Sequence, residues 1–265
     1  MEFGFPIWRG SGGVKYALRE ILRYGFDFVE IDLETLKPSE VKNSSVLKTG
    51  YHAPYTVPLS HTYLTSCIRK QLANLVKFAN KTKAVYINMH VNYPTYRSLG
   101  ELNSNLKREA VKTIKYLRKQ LDRTIITLEN PPKGDYWRCS SLLEIVAETR
   151  VKACLDVGHF ACNLLKQADI GRTTREIKRC IKQSRGFLFL LHLHNVSQNT
   201  DGGTQDHMLE GYLDLVEIAA TAIEAGCGYI LLETFFKGYS RRREVAVRDV
   251  AKLMHRIKRE VASTL

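Results

Sequence analysis

Short apolar runs in this chain end again and again in a histidine or a carboxylate, and the runs are spread over its whole length. They read Tyr51-His52-Ala53-Pro54-Tyr55, Ile87-Asn88-Met89-His90, Thr127-Leu128-Glu129-Asn130, Leu155-Asp156-Val157-Gly158-His159, Leu191-His192-Leu193-His194 and Leu231-Leu232-Glu233-Thr234, with Asp206-His207 in a more polar stretch. Burying a carboxylate is costly unless it is paired or holds a cation, so a run that delivers one at its end is not a plain core strand. Imidazoles and carboxylates are also the usual ligands of catalytic zinc and manganese. A fold for this chain has to bring those run ends to one place.

The runs alternate with helical patterns. Strands are expected at Phe3–Ile7, Phe28–Leu33, Leu47–His52, Val85–His90, Thr124–Glu129, Val151–Asp156, Phe187–His192 and Tyr229–Glu233, each short and apolar or β-branched, as in strands buried on both faces. Between them, Val14–Arg23 puts Val14, Leu18, Ile21 and Leu22 on one side, and Cys67–Ala79 does the same with Ile68, Leu72, Leu75, Val76 and Phe78. Leu102–Leu121, Thr173–Gln183, Leu213–Ala225 and Arg243–Val261 are further expected helices; the short segment after the second strand contains Pro38 and is the weakest helix candidate. No linker or low-complexity break interrupts the alternation. An open doubly wound sheet gathers ligands from a few strand ends at one switch point. Ligand-type residues here end the third through eighth strands, and a closed barrel brings all of those ends round one rim. The expected fold is α/β, a single-domain (β/α)8 barrel over residues 1–265.

Bulk composition fits that size and adds one hint. A net charge of +13 favours phosphate-rich partners, although the basic residues are dispersed, with Arg241-Arg242-Arg243 and Lys178-Arg179 as the tight clusters. No apolar stretch reaches the roughly 20 residues of a membrane span, and the first residues lack the basic-then-apolar pattern of a signal peptide. The expectation is a cytoplasmic protein with no membrane association and no obligate protein partner. The six cysteines are scattered without a C-x-x-C pair and are expected to be buried thiols.

Among the ligand candidates, Glu129, Asp156 and Glu233 are strand-end acids, His52 and His90 are strand-end imidazoles, and His159 follows Asp156 closely enough to face the same mouth. His192 and His194 are two apart and would share a face if the strand continued through both; His192 is the expected ligand because the strand ends near it, with His194 orienting one. His61 and His255 fall on expected helices as surface or packing residues. Gly10-Ser11-Gly12-Gly13 lacks phosphate-loop spacing and reads as a tight turn. Of the aromatic residues in the rim loops, Tyr55 is the expected substrate contact, by stacking on a base or sugar face.

Taken in order, Ser11-Gly12-Gly13-Val14, His52-x-x-Tyr55, His90, Glu129-Asn130, Asp156-x-x-His159, His192-Leu193-His194-Asn195 and Glu233-Thr234 resemble the endonuclease IV and xylose-isomerase-like TIM-barrel superfamily over essentially the whole chain. Two branches of that resemblance imply different chemistry. Likeness to endonuclease IV implies up to three zinc ions and hydrolysis of DNA 5′ to abasic sites. His52, His90 and Glu129 would hold the first ion. Glu129, Asp156, His192 and Glu233 would hold the second, and His159 and His207 the third with an aspartate. That aspartate belongs two residues before His207, where this chain has Gln205, so Asp206 or Asp201 would have to substitute. Likeness to the sugar isomerases and epimerases implies one divalent metal, zinc, manganese or another, on Glu129, Asp156, His192 and Glu233. There Glu129 and Glu233 would be the acid and base acting on a sugar or sugar phosphate. The extra imidazoles favour the phosphodiesterase, since added cations neutralise phosphate and activate water.

Overall fold

A computed structural model describes residues 1–8, 13–37, 40, 47–54, 59, 66–91, 103–132, 137–198, 203–237 and 244–263, the side chains of 66–68 and 103–106 excepted. The elements run β1 (Glu2–Ile7), α1 (Val14–Arg23), β2 (Phe28–Asp32), β3 (Lys48–His52), α2 (Ser66–Thr82), β4 (Tyr86–His90), α3 (Asn103–Gln120), β5 (Ile125–Glu129), α4 (Cys139–Thr149), β6 (Lys152–Asp156), α5 (Val157–Leu164), α6 (Ile170–Gln183), β7 (Leu188–His192), β8 (Asn195–Gln198), β9 (Thr204–Met208), α7 (Leu215–Glu224), β10 (Tyr229–Leu231) and α8 (Val247–Ala262). Strands β1 to β7 and β10 close into a parallel barrel in the order β1-β10-β7-β6-β5-β4-β3-β2, and β8-β9 form a separate antiparallel hairpin. The expected (β/α)8 barrel is the fold observed.

Two apolar layers hold it together. The outer one packs the helices against the strands. On α1 it uses Ala17, Leu18 and Ile21, whereas Leu22, expected on the same face, is 43% exposed. The inner one fills the barrel axis with Phe28, Tyr86, Cys154, Leu190 and Leu231. Gly4 and Gly50 make room for it. A Cβ on Gly4 would stand 2.3 Å from the Phe28 ring, and one on Gly50 would stand 2.1 Å from the Tyr86 ring. Side chains two residues further along the same strands, such as Glu30 and Asn88 above Phe28 and Tyr86, therefore lie above a packed floor.

Several sequence expectations need correction. Cys139 at the start of α4 and Cys180 in α6 form a disulfide, so not all six cysteines are thiols. They lie 41 residues apart with no spacing motif, and only the packing of the helix layer brings their Cα atoms to 5.7 Å. Cys154, Cys162 and Cys227 are buried thiols as expected. Strand β10 stops at Leu231, so Glu233 sits two residues past it. Helices α4 and α5 and the β8-β9 hairpin are not among the sequence expectations, and no α-helix joins β2 to β3 among the described residues. His255 is exposed on α8, as expected, and His61 lies outside the described residues.

Candidate metal centre

Parallel strands all present their C-terminal ends on one side, and those ends supply the site. His52, His90, Glu129, Asp156 and His192 are the last residues of β3, β4, β5, β6 and β7. The register sets His90 beside Glu129 and Asp156 beside His192. Asp156 also caps α5, its Oδ1 accepting the His159 N–H at 2.6 Å, which fixes the first turn of α5 and carries His159 over the rim. His207 arrives from β9 in the left-handed region at φ +58°, a conformation that a non-glycine residue holds only when its surroundings impose it.

Glu129 is the hub. Its Oε2 is 3.3 Å from His52 Nε2 and 3.5 Å from His192 Nδ1, and its Oε1 is 3.6 Å from His90 Nε2 and 3.3 Å from His159 Nδ1. Around His192 Nδ1 stand Glu233 Oε2 at 2.9 Å, Glu129 Oε2 at 3.5 Å and Asp156 Oδ2 at 3.8 Å. His159 Nε2 faces Asp206 Oδ2 at 4.0 Å, and ligand atoms of His159, Asp206 and His207 lie within 4.8 Å of one another. The same spacing holds for His52, His90 and Glu129. Each strand-end residue singled out from the sequence is thus drawn into one buried cluster, and Asp206, one of the two residues expected to substitute for an aspartate at position 205, lies beside His159 and His207. Tyr55 lies outside the described residues.

The ring nitrogens sort themselves by their partners. His52 Nδ1 donates to the Ala53 carbonyl at 3.0 Å and His207 Nδ1 to the Glu233 carbonyl at 3.2 Å, leaving both Nε2 atoms for the cluster. His159 Nδ1 meets the Asn130 carbonyl at 3.3 Å, and its Nε2 points to Asp206. His194, which sequence reasoning placed beside the ligands, accepts the His207 backbone N–H on Nδ1 at 2.8 Å. Its Nε2 therefore carries the proton and donates to Asp156 at 3.0 Å. With both nitrogens engaged, His194 orients Asp156 and ties it to His207.

Electrostatics agree with a site built for cations. Burial opposes charge on Glu129 and Asp156, yet the surrounding imidazoles hold both carboxyls below the usual range. Burial likewise opposes protonation of His52 and His159, but Glu129 outweighs it and raises His52 to about 9, and Asp156 with Glu129 raises His159 to about 10. At His90 burial prevails over Glu129 and lowers the imidazole to about 4. The donor set fits a divalent metal on a further ground. His192 Nδ1 and Glu233 Oε2, both buried and 2.9 Å apart, make no hydrogen bond, as expected of atoms placed to share an ion.

One participant escaped the sequence reading. Glu30 in β2 is 2% exposed, with Oε2 3.3 Å from His192 Nε2. The signal was an acid inside Phe28-Val29-Glu30-Ile31, on the face shared with Phe28, rather than at the end of the run.

Comparison with known proteins gives the fold a family. A family model described as a xylose isomerase-like TIM barrel matches residues 18–257. No curated protein matches the chain. Among solved structures, an IolI protein with a bound zinc atom is similar at TM-score 0.71 and 15% identity, covering 100% of this chain and 99% of that one. D-allulose 3-epimerase from Methylomonas sp. is similar at TM-score 0.66 and 14% identity, over 98% of this chain and 96% of that one. Endonuclease IV from Thermus thermophilus is similar at TM-score 0.62 and 19% identity, over 100% of both chains. At these identities the likeness is one of fold.

Proposed function

Because the chain belongs to the xylose isomerase-like TIM barrel family, we propose that it is a divalent-metal-dependent phosphodiesterase that hydrolyses DNA 5′ to abasic sites. The observation that carries this is the convergence of three ligand groups on one rim. These are His52, His90 and Glu129; then Glu129, Asp156, His192 and Glu233; and then His159, Asp206 and His207. Zinc or manganese held there would supply positive charge to neutralise a phosphate and would lower the pKa of water so that it attacks as hydroxide near neutral pH.

The chain's own groups do the rest. Glu129 stands between the first two sets, its Oε2 facing both His52 and His192, and takes the proton that water loses as its oxygen bonds to phosphorus. The phosphorus–O3′ bond breaks, and that oxygen leaves as a 3′-hydroxyl on gaining a proton from solvent. His194 holds Asp156, and Asp206 completes the set that an isomerase has no need of. The +13 charge draws in the duplex, and Tyr55 contacts the exposed nucleotide.

A second reading has its own support. Glu129, Asp156, His192 and Glu233 would alone serve a sugar or sugar-phosphate epimerase, with Glu129 and Glu233 on either side of His192 Nδ1 as acid and base. One experiment separates the two. Elemental analysis is followed by incubation with a duplex carrying one tetrahydrofuran abasic analogue. More than one metal per chain, with incision 5′ to the analogue leaving a 3′-hydroxyl, is the expected result. A single metal, no incision and exchange of the proton next to a sugar carbonyl would establish the epimerase instead.

A further inference from the structure

The geometry points to Glu30 as a positioning residue that commits His192 to bind metal through Nδ1. His192 has its two nitrogens on opposite errands. Nδ1 faces Glu233, Glu129 and Asp156 at 2.9, 3.5 and 3.8 Å, and Nε2 faces Glu30 Oε2 at 3.3 Å. The other neighbour of Nε2 is the Asn88 side-chain nitrogen at 3.4 Å, farther than Glu30 and itself a donor, with one of its two N–H groups given to Glu129 Oε2. Asn88 Oδ1 accepts from Thr127 Oγ1 at 2.9 Å, which fixes the amide in that orientation. Two donors do not pair, so the partner left for an Nε2–H is the Glu30 carboxylate.

Glu30 has matching reasons to be there. It is fully enclosed above the Phe28–Tyr86 floor, and a buried carboxylate needs a donor. From below, burial and then the charge of Glu30 keep the Tyr86 hydroxyl protonated well above its ordinary range, so that it remains a donor. The contrast with the other rings is specific. His52 and His207 turn their rear nitrogens to backbone carbonyls, and His159 Nδ1 is shared between the Asn130 carbonyl and Glu129, whereas His192 turns its Nε2 to a carboxylate outside the ligand set. A carboxylate behind a metal-bound imidazole locks the ring and strengthens it as a ligand. Glu30 therefore tightens the ion held by Glu129, Asp156, His192 and Glu233 above the other two, whichever reaction that ion serves.

This rests on the metal-centre part of the proposed function and not on its substrate. The test uses the full chain and zinc alone. Long-range proton–nitrogen NMR of the zinc-loaded protein is expected to show His192 coordinated at Nδ1 with a slowly exchanging Nε2–H. In Glu30→Gln, which retains an acceptor, that proton resonance moves and zinc at the second set weakens on the order of tenfold to a hundredfold. Glu30→Met, which removes the buried charge and keeps the volume, is expected to leave the thermal midpoint of the metal-free protein within a few degrees while weakening zinc at least as much. Zinc coordinated at His192 Nε2, or unchanged zinc affinity in both variants, overturns the role of Glu30 and leaves the metal centre standing. No zinc uptake by the wild-type chain overturns both.

Discussion

Gly158 is set by what stands opposite it. A Cβ there would lie 1.9 Å from the His194 ring, so Gly158→Ala must push the ring away and break its bond to Asp156. We expect a loss of about 1–3 kcal/mol of stability in thermal or urea unfolding, with weaker zinc binding. An unchanged midpoint and unchanged affinity would show that the ring has no positioning role. Asp206 tests the third ligand group more directly. Asp206→Asn should lower the metal content by one equivalent while the other sets remain filled, and elemental analysis reads this without an assay. The imidazoles also set a pH dependence. In the metal-free protein His52 and His159 are raised to about 9 and about 10, above the ordinary 6.5 of an exposed imidazole. Their protonation stabilises that form fully below pH 6.5, and the contribution disappears as pH climbs through 9 and 10. Zinc must displace the same protons, so it binds more tightly as pH rises. The gap in melting temperature between zinc-loaded and metal-free protein should widen from pH 6 to pH 9, and a gap that narrows would contradict it.

At the scale of elements, the bridge between α4 and α6 spans 41 residues. A cross-link closing a loop of that length contributes roughly 3–4 kcal/mol by restricting the unfolded chain, or about 5–15 °C in a chain of this size. Melts with and without reductant check this, and coincident curves would mean the bridge contributes nothing. The bridge also marks where sequence reasoning reached its limit. Strand ends such as His90 and Glu129 were legible because a polar group at the end of an apolar run breaks a local pattern. Helices α1 and α6 were legible because their apolar spacing is periodic. Glu30 was not, because it sits mid-run, where a polar residue looks like alternation rather than an ending. The pairing of Cys139 with Cys180 and the φ of His207 depend on residues far away in sequence, whereas the β8-β9 hairpin did carry a signal, Asp201-Gly202-Gly203, but between strands too polar to read as such. Asp206 was named from the sequence as a substitute ligand, but its convergence with His159 needs the hairpin to deliver it.

The whole molecule is a closed barrel with +13 net charge, and the charge has a measurable consequence for a nucleic-acid substrate. If the proposed duplex binds across the rim, raising salt from about 50 to about 200 mM should weaken it by at least about tenfold, because released counterions drive the association. Fluorescence anisotropy of a labelled abasic duplex measures this, and a flat salt profile would argue against a phosphate backbone as the ligand. The packed floor of Phe28, Tyr86, Cys154, Leu190 and Leu231 has a different consequence. It makes the barrel a cul-de-sac. Whatever reaches Glu129 arrives through the rim and has to retreat by the same doorway. A spent molecule therefore blocks the next arrival, and added product should inhibit by direct competition with the substrate.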